Sequence, residues 1–169
     1  MIHVCSLARL PETAKEIGAS HVITLLRDAD LIVRPAGIAP DKHLVIHVDD
    51  ITCPLDGYTH PCEEHIGELV DFVLGRWDRA APLLVHCYAG ISRSTAAAFI
   101  AACAIRPDCD EVSIAQALRR ASPTATPNAL IVSLADQLLG RKGRMVQAIQ
   151  TIGRGAEAYE GAPFCLRLD

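Results

Sequence analysis

Aromatic residues are few in this sequence, and long apolar segments and an excess of basic charge are missing from it. Phe, Tyr and Trp make up 4% of the 169 residues, so the core must be built mainly from Ala, Leu, Ile and Val. Sixteen basic and twenty acidic residues give a formal net charge of −4, which argues against a nucleic-acid partner. The longest apolar runs, such as Ala96–Ile105, fall short of the roughly 20 residues that cross a bilayer, so we expect no membrane partner.

Signals for export and for disulfide formation are also missing. His3 and Arg9 interrupt the apolar start of the chain, which does not resemble a secretory leader. The seven cysteines are an odd number without regular spacing, and this argues against a disulfide framework. We therefore expect reduced thiols and a cytoplasmic location.

The hydrophobic pattern predicts one α/β domain over residues 1–169. Short β-branched runs predict strands at residues 21–26, 43–48 and 82–86, and residues 2–7 form a further apolar run. Apolar spacing of three and four, with Pro and Gly at the boundaries, predicts helices. These lie at 11–17, 62–77, 93–105, 111–121, 127–139 and 145–152.

The order of these elements predicts the architecture. Strands alternate with helices in the first half of the chain, whereas only helices follow residue 93. This order favours a small, mostly parallel sheet of four or five strands with helices on both faces, and a helical C-terminal half. Residues 153–169 are interpreted as a tail without a defined element.

The chemistry is concentrated where the strand at Pro82–His86 runs into Cys87 and a helix begins at Arg93. The first N–H groups of a helix lack intrahelical partners, and the helix dipole favours negative charge there. Gly90 permits a backbone conformation in which successive amides curl around an anion. We therefore expect the loop Tyr88–Ser92 to bind a phosphate group.

Two side chains fit the same anion. The planar guanidinium of Arg93, at the junction of loop and helix, matches two phosphate oxygens. Helix N-termini and cationic neighbours favour the thiolate form of a cysteine, which is the nucleophilic form. Cys87 is therefore the predicted nucleophile, and Arg93 the predicted phosphate clamp.

Residues 86–94 read His-Cys-Tyr-Ala-Gly-Ile-Ser-Arg-Ser, which matches the His-Cys-x5-Arg-Ser/Thr signature of the protein tyrosine and dual-specificity phosphatase superfamily. The longer segment 83–98 resembles the dual-specificity branch and its compact bacterial relatives. The resemblance extends from the strand at His43 to the helical segment near Pro127. It implies a phosphatase-like fold, a phosphorylated protein as partner, and phosphate or another oxyanion held by residues Tyr88, Ala89, Gly90, Ile91, Ser92 and Arg93.

In such enzymes a carboxylic acid protonates the leaving group. The resemblance places it at the end of the strand before the long helix, where Asp49, Asp50 and Asp56 are the candidates. Asp50 is preferred because it takes the strand-end position after Ile46–Val48. Asp56 competes, since its separation from Cys87 is the one typical of dual-specificity relatives.

The resemblance also suggests supporting roles for two further side chains. Ser94 would hydrogen-bond the cysteine sulfur and help it to leave, whereas His86 would order the loop. Cys53, His60, Cys62 and His65 lack the paired spacing of structural zinc sites, so no metal and no cofactor is predicted. Cys62 and His65 are expected to be neighbours on a helix.

Together these features predict a metal-independent protein phosphatase that acts through a phosphocysteine intermediate. The uncharged residues inside the loop favour a phosphoprotein over a highly charged lipid, with phosphotyrosine preferred and phosphoserine or phosphothreonine left open. Two alternatives are a non-catalytic phosphate-binding module and, as a poorer fit, a rhodanese-like sulfurtransferase. The latter class does not require this arginine and hydroxyl.

Overall fold

A computed structural model describes residues 1–167 of the chain. Its strands are β1 (Ile2–Ser6), β2 (His21–Leu25), β3 (His43–Ile46), β4 (Leu83–Cys87) and β5 (Phe164–Leu166). Its helices are α1 (Leu10–Glu16), α2 (Glu63–Gly75), α3 (Arg93–Ile105), α4 (Glu111–Ala121), α5 (Ala129–Leu138) and α6 (Arg144–Ile152). Two short 3-10 turns lie between β2 and β3.

The five strands form one sheet in the order β3-β2-β4-β1-β5. The pairs β2–β3, β2–β4 and β1–β4 are parallel, and only β5, beside β1, is antiparallel. Because parallel strands need crossover connections, helices cover both faces of the sheet. The predicted α/β class, with a mostly parallel sheet of four or five strands, is confirmed.

The helices are unequally divided between the two faces. Helix α1 packs on one face with a small apolar cluster that includes Leu10, Val22 and Leu84. Helices α2–α6 cover the other face and enclose the main core. Helix α3 lies at its centre, with every residue from Arg93 to Cys103 buried. Its alanines favour helix formation and allow close approach by the neighbouring helices.

The element boundaries mostly lie within one or two residues of those predicted. The main difference is α5, which begins at Ala129 rather than at Pro127, because the side chain of Asn128 caps the helix by accepting from Leu130 N and Ile131 N. Helix α4 begins at Glu111, as predicted, and the side chain of Asp110 caps it by accepting from Ser113 N.

The segment after α6 has contacts that the sequence pattern did not indicate. Ala156 N donates to Pro123 O (2.9 Å), and Phe164–Leu166 pairs with β1 as strand β5. A Cβ atom on Gly155 would lie 2.5 Å from the carbonyl carbon of Thr124, so glycine permits this close approach. Residues 168–169 of the predicted tail lie outside the described residues.

No helix within residues 1–167 is both long enough and apolar enough to cross a membrane. The parallel strands all point their carboxyl ends to the same edge of the sheet, where ligands bind in open α/β sheets. Cys87 ends the central strand β4 at this edge.

Candidate active site

Residues 88–92 form a tight loop between β4 and α3, packed against the end of β1. Gly90 adopts a φ of +72° in the left-handed region. A Cβ atom there would lie 2.8 Å from the carbonyl carbon of Cys5 and 2.9 Å from Ser6 N. Glycine is therefore required both for the backbone conformation and for the close packing of the loop on β1.

The loop's carbonyl groups are held from outside. Tyr88 O accepts from Leu7 N (3.0 Å), Ala89 O accepts from Gly161 N (2.9 Å), and Ile91 O accepts from Thr126 N (2.9 Å). In contrast, no hydrogen bond within residues 1–167 has the backbone N–H of residues 88–92 as its donor. A run of unpaired N–H groups beside a helix N-terminus is the arrangement that binds anions in proteins.

The thiol of Cys87 lies at the start of this loop and is 2% exposed. Its Sγ is 3.1 Å from the hydroxyl oxygen of Ser94, which is also buried. Cys5 and Cys103 are also buried thiols, and burial raises the pKa of each to about 12. Cys5 also has a hydroxyl neighbour, Thr13, so it is the adjacent unpaired amides that distinguish Cys87 from these packing cysteines.

Arg93 is buried at the first position of α3, with its guanidinium turned towards the end of β3. One terminal nitrogen donates to Val48 O at 2.8 Å. The buried Nε has no hydrogen-bond partner among the described residues and lies 3.9 Å from Asp50 Oδ2. The guanidinium is therefore fixed in position while part of its donor capacity is unused.

Asp50 is the only one of the three candidate acids with a contact to the loop among the described residues. Its Oδ1 accepts from Ser92 Oγ at 2.6 Å and from Asn128 Nδ2 at 2.8 Å. Its side chain is 37% exposed, so it lies at the mouth of the site rather than in the core.

The other two candidates occupy different environments. Asp49 Oδ2 accepts from Thr59 N (2.8 Å) and lies 3.7 Å from the guanidinium of Arg27. These contacts close the loop 51–59, and Asp56 is exposed within it. The geometry thus brings Asp50 to the loop and gives Asp49 a bond that fixes the segment beside it.

His86 lies behind the loop and faces the opposite side of the sheet from Cys87. Its Nε2 is 2.6 Å from Thr24 Oγ1, which is 2.8 Å from His43 Nε2. Burial, partly opposed by the Cys87 backbone, lowers the pKa of His86 to about 4, so its ring is neutral near pH 7. The predicted role of His86 in ordering the loop stays a prediction.

Cys62 and His65 are neighbours, as the sequence suggests. Cys62 precedes the first residue of α2, and its Sγ lies 3.3 Å from His65 Nδ1. Within residues 1–167 no three His, Cys, Asp or Glu side chains are grouped so that they could hold a metal ion.

A cleft of about 510 Å³ adjoins the loop on the side of α5 and α6. Ile91 and Ser92 of the loop line it, together with apolar residues such as Pro127 and Ile149 and the charged Arg154 and Glu157. The cleft thus extends away from the loop over a mainly apolar surface.

Sequence reasoning missed two contributors to the site. Asn128 was not assigned a role, although an Asn before an apolar helical run is a common N-cap signal. The segment 154–163 was interpreted as a tail, yet Gly161 bonds the loop and Glu160 accepts from the Ser6 hydroxyl. No local pattern predicts contacts of this second kind.

No family model and no curated protein matches the sequence. Several solved phosphatase structures do match the fold. The PTP-2 phosphatase of Cydia pomonella superposes with a TM-score of 0.63 at 18% identity, over 80% of this chain and 84% of that one. Human DUSP28 superposes with a TM-score of 0.62 at 19% identity, over 90% of this chain and 95% of that one.

A mouse protein assigned as a dual-specificity phosphatase and solved in complex with zinc tungstate gives a TM-score of 0.61 at 20% identity, over 85% of this chain and 84% of that one. The similarity spans most of each chain and includes both the sheet and the helices around it. The chain therefore has the fold of the protein tyrosine and dual-specificity phosphatases, as the residues from His86 to Ser94 predicted.

Proposed function

We propose that this chain is a phosphomonoester hydrolase that removes the phosphoryl group from phosphotyrosine in proteins. The observation that carries the proposal is the position of the Cys87 thiol at the start of a loop whose N–H groups have no hydrogen-bond partners within residues 1–167. A phosphoryl group held by those donors would place its phosphorus within reach of the sulfur. A fold alone does not establish an activity, so the proposal rests on this geometry.

In the first step the Cys87 thiolate attacks phosphorus in line with the bond to the leaving oxygen. An S–P bond forms, the P–O bond breaks, and the loop amides with Arg93 hold the equatorial oxygens. Donors fixed in place before the reaction stabilise the developing charge without reorganising, which usually supplies the largest part of the acceleration. Charge neutralisation by these groups supports a reaction that needs no metal.

The departing oxygen takes its proton from the carboxyl group of Asp50. The contact of Asp50 with Ser92 supports this assignment over Asp56, because a general acid must lie close to the reacting group. Water then attacks the phosphocysteine, transfers a proton to the Asp50 carboxylate, and releases inorganic phosphate. The sulfur leaves as a thiolate, which the hydroxyl of Ser94 stabilises.

The site favours a phosphoprotein as the substrate. The residues Tyr88–Ser92 carry no charge, which suits one phosphate group better than the several of a phosphorylated lipid or nucleotide. The adjoining cleft offers an apolar surface to the chain that flanks a phosphorylated side chain. Phosphotyrosine is the proposed side chain, and phosphoserine and phosphothreonine are the alternatives that a peptide panel would compare.

Hydrolysis of p-nitrophenyl phosphate in the presence of EDTA tests the proposal, with tungstate binding measured alongside. We expect turnover by the wild type, none by Cys87→Ser, and full activity in the control Cys109→Ser. Tungstate binding without turnover would instead identify a phosphate-binding module. Thiosulfate-dependent sulfur transfer would identify a sulfurtransferase, and either result would contradict the proposal.

A further inference from the structure

We propose that Asn128 is a positioning residue that holds the Asp50 carboxyl group over the phosphate loop. The inference rests on the proposed function, in which Asp50 is the general acid. Asn128 lies between Pro127 and the first residue of α5 and is 4% exposed. It belongs to neither the loop nor the strand that carries the acid.

The orientation of the Asn128 amide is fixed by the helix that it caps. Its Oδ1 accepts from Leu130 N and Ile131 N, both at 3.1 Å. Only an oxygen can accept these two bonds, so the NH₂ group must be at the other end of the amide. The helix N-terminus thus directs two N–H donors away from α5 and towards the segment after β3.

Both of those N–H donors form hydrogen bonds with the segment that carries Asp50. Asn128 Nδ2 lies 2.8 Å from Asp50 Oδ1 and 3.2 Å from Ile51 O. One amide therefore binds the side chain of the acid and the backbone of the residue after it. Ser92 supplies a second donor to Oδ1 at 2.6 Å. Two hydrogen bonds to Oδ1 therefore hold the side chain of Asp50, although it is 37% exposed.

This arrangement decides which oxygen carries the acidic proton. Oδ1 accepts two hydrogen bonds, so a proton on Asp50 is favoured on Oδ2. Oδ2, which accepts neither of these bonds, lies 3.9 Å from Nε of Arg93, the residue proposed to hold the phosphate. Asn128 thereby leaves the acidic proton of Asp50 on the oxygen nearer to Arg93.

The Asn128→Ser variant separates positioning from helix capping, because Ser caps helices about as well as Asn but is too short to reach Asp50. General acid catalysis matters most for a poor leaving group, so phenyl phosphate and p-nitrophenyl phosphate are compared. We expect kcat/KM, which reports the steps up to cleavage of the P–O bond, to fall roughly tenfold with phenyl phosphate, a part of the 10²–10⁴-fold that a general acid contributes. With p-nitrophenyl phosphate the loss is expected to stay below about twofold, and the high-pH limb of the phenyl phosphate profile to flatten.

Two further variants make the comparison specific. Asn128→Asp also caps the helix but replaces the amide donor with a carboxylate. It should therefore also lose much more activity with phenyl phosphate than with p-nitrophenyl phosphate. Asp110→Ala removes the cap of α4, at the other end of α3, and reports what a general loss of stability does to both rates. Thermal unfolding of all variants verifies that each one folds.

A double-mutant cycle completes the test. If Asn128 acts through Asp50, Asn128→Ser should change phenyl phosphate turnover by less than about twofold in an Asp50→Asn background. Equal losses with both substrates, or losses that add to those of Asp50→Asn, would overturn the inference. A wild type without Cys87-dependent turnover would overturn the proposed function itself, and the inference with it.

Discussion

At the scale of single residues, the closest polar partner of the proposed nucleophile is a hydroxyl group. Cys87 Sγ and Ser94 Oγ are 3.1 Å apart, and both side chains are buried. A hydrogen bond to a charged group contributes about 1.5–3 kcal/mol, more than one between neutral groups. The pair therefore matters most in the step that regenerates the thiolate.

We expect Ser94→Ala to slow hydrolysis of the phosphocysteine by roughly 10- to 100-fold while phosphorylation of Cys87 is slowed much less. Pre-steady-state measurements with p-nitrophenyl phosphate should then show a burst of nitrophenol followed by slow turnover. Ser113→Ala, whose hydroxyl is exposed and bonds Asp110, is the matched control. A uniform slowing of both steps would argue against this role for Ser94.

The residues closest in sequence were the easiest to predict. Cys87, Arg93 and Ser94 lie within eight residues at a strand–loop–helix junction, so local geometry alone brings them together. The choice between Asp50 and Asp56 could not be made by counting, because the path of the loop 51–59 depends on tertiary contacts. The bond between Asn128 and Asp50 joins segments 78 residues apart, and no sequence pattern reports it.

At the scale of elements, the phosphate loop is shaped by its contact with β1. Gly90 has a φ of +72°, and a Cβ atom added to it would lie only 2.8 Å from the carbonyl carbon of Cys5. Backbone atoms cannot move aside as a flexible side chain can. A side chain at this position would therefore displace the loop rather than merely strain it.

Gly90→Ala is expected to reduce kcat/KM by at least about 100-fold, because misplaced oxyanion donors lose most of their effect. It should also weaken tungstate binding, measured by calorimetry. Gly140→Ala is a matched control, since Gly140 has a similar φ of +64° but nothing within 4 Å of its added Cβ. The control should lower stability by about 1 kcal/mol and leave activity intact. Equal activity in both variants would contradict this view of the loop.

Elements with a regular apolar period were predicted closely, and those without one were missed. The helix Arg93–Ile105 has its predicted limits because an Ala-rich run ends at Pro107. Strand β5 has only three residues, too few for a periodic signal. It forms by pairing with the outer edge of β1, and that edge exists only once the sheet has assembled.

At the scale of the whole molecule, a chain of polar side chains, buried at Thr24 and His86 and half-buried at His43, links three neighbouring strands. His43 on β3, Thr24 on β2 and His86 on β4 are joined through the Thr24 hydroxyl. Burial lowers the pKa of His86 from 6.5 to about 4 and also lowers that of His43. The unfolded chain therefore binds a proton at His86 in a pH range where the folded chain does not.

This difference predicts how stability depends on pH. The contribution of His86 is complete above pH 6.5 and is lost as the pH falls towards 4. Between pH 7 and pH 4.5 it corresponds to about 2–3 kcal/mol of unfolding free energy. Urea unfolding of His86→Gln should therefore show a smaller loss over this range than the wild type. The control Gln137→Asn, at an exposed position without a titratable group, should behave as the wild type, and identical slopes in all three proteins would contradict the assignment.

The central claim is that the sulfur of Cys87 takes the phosphoryl group during turnover. Rapid acid quenching of a single turnover of p-nitrophenyl phosphate, followed by peptide mapping with mass spectrometry, tests it most directly. We expect a phosphorylated peptide modified at Cys87, more of it in Ser94→Ala, and none in Cys87→Ala. Turnover that leaves Cys87 unmodified at every quench time, or that persists in Cys87→Ala, would contradict the account.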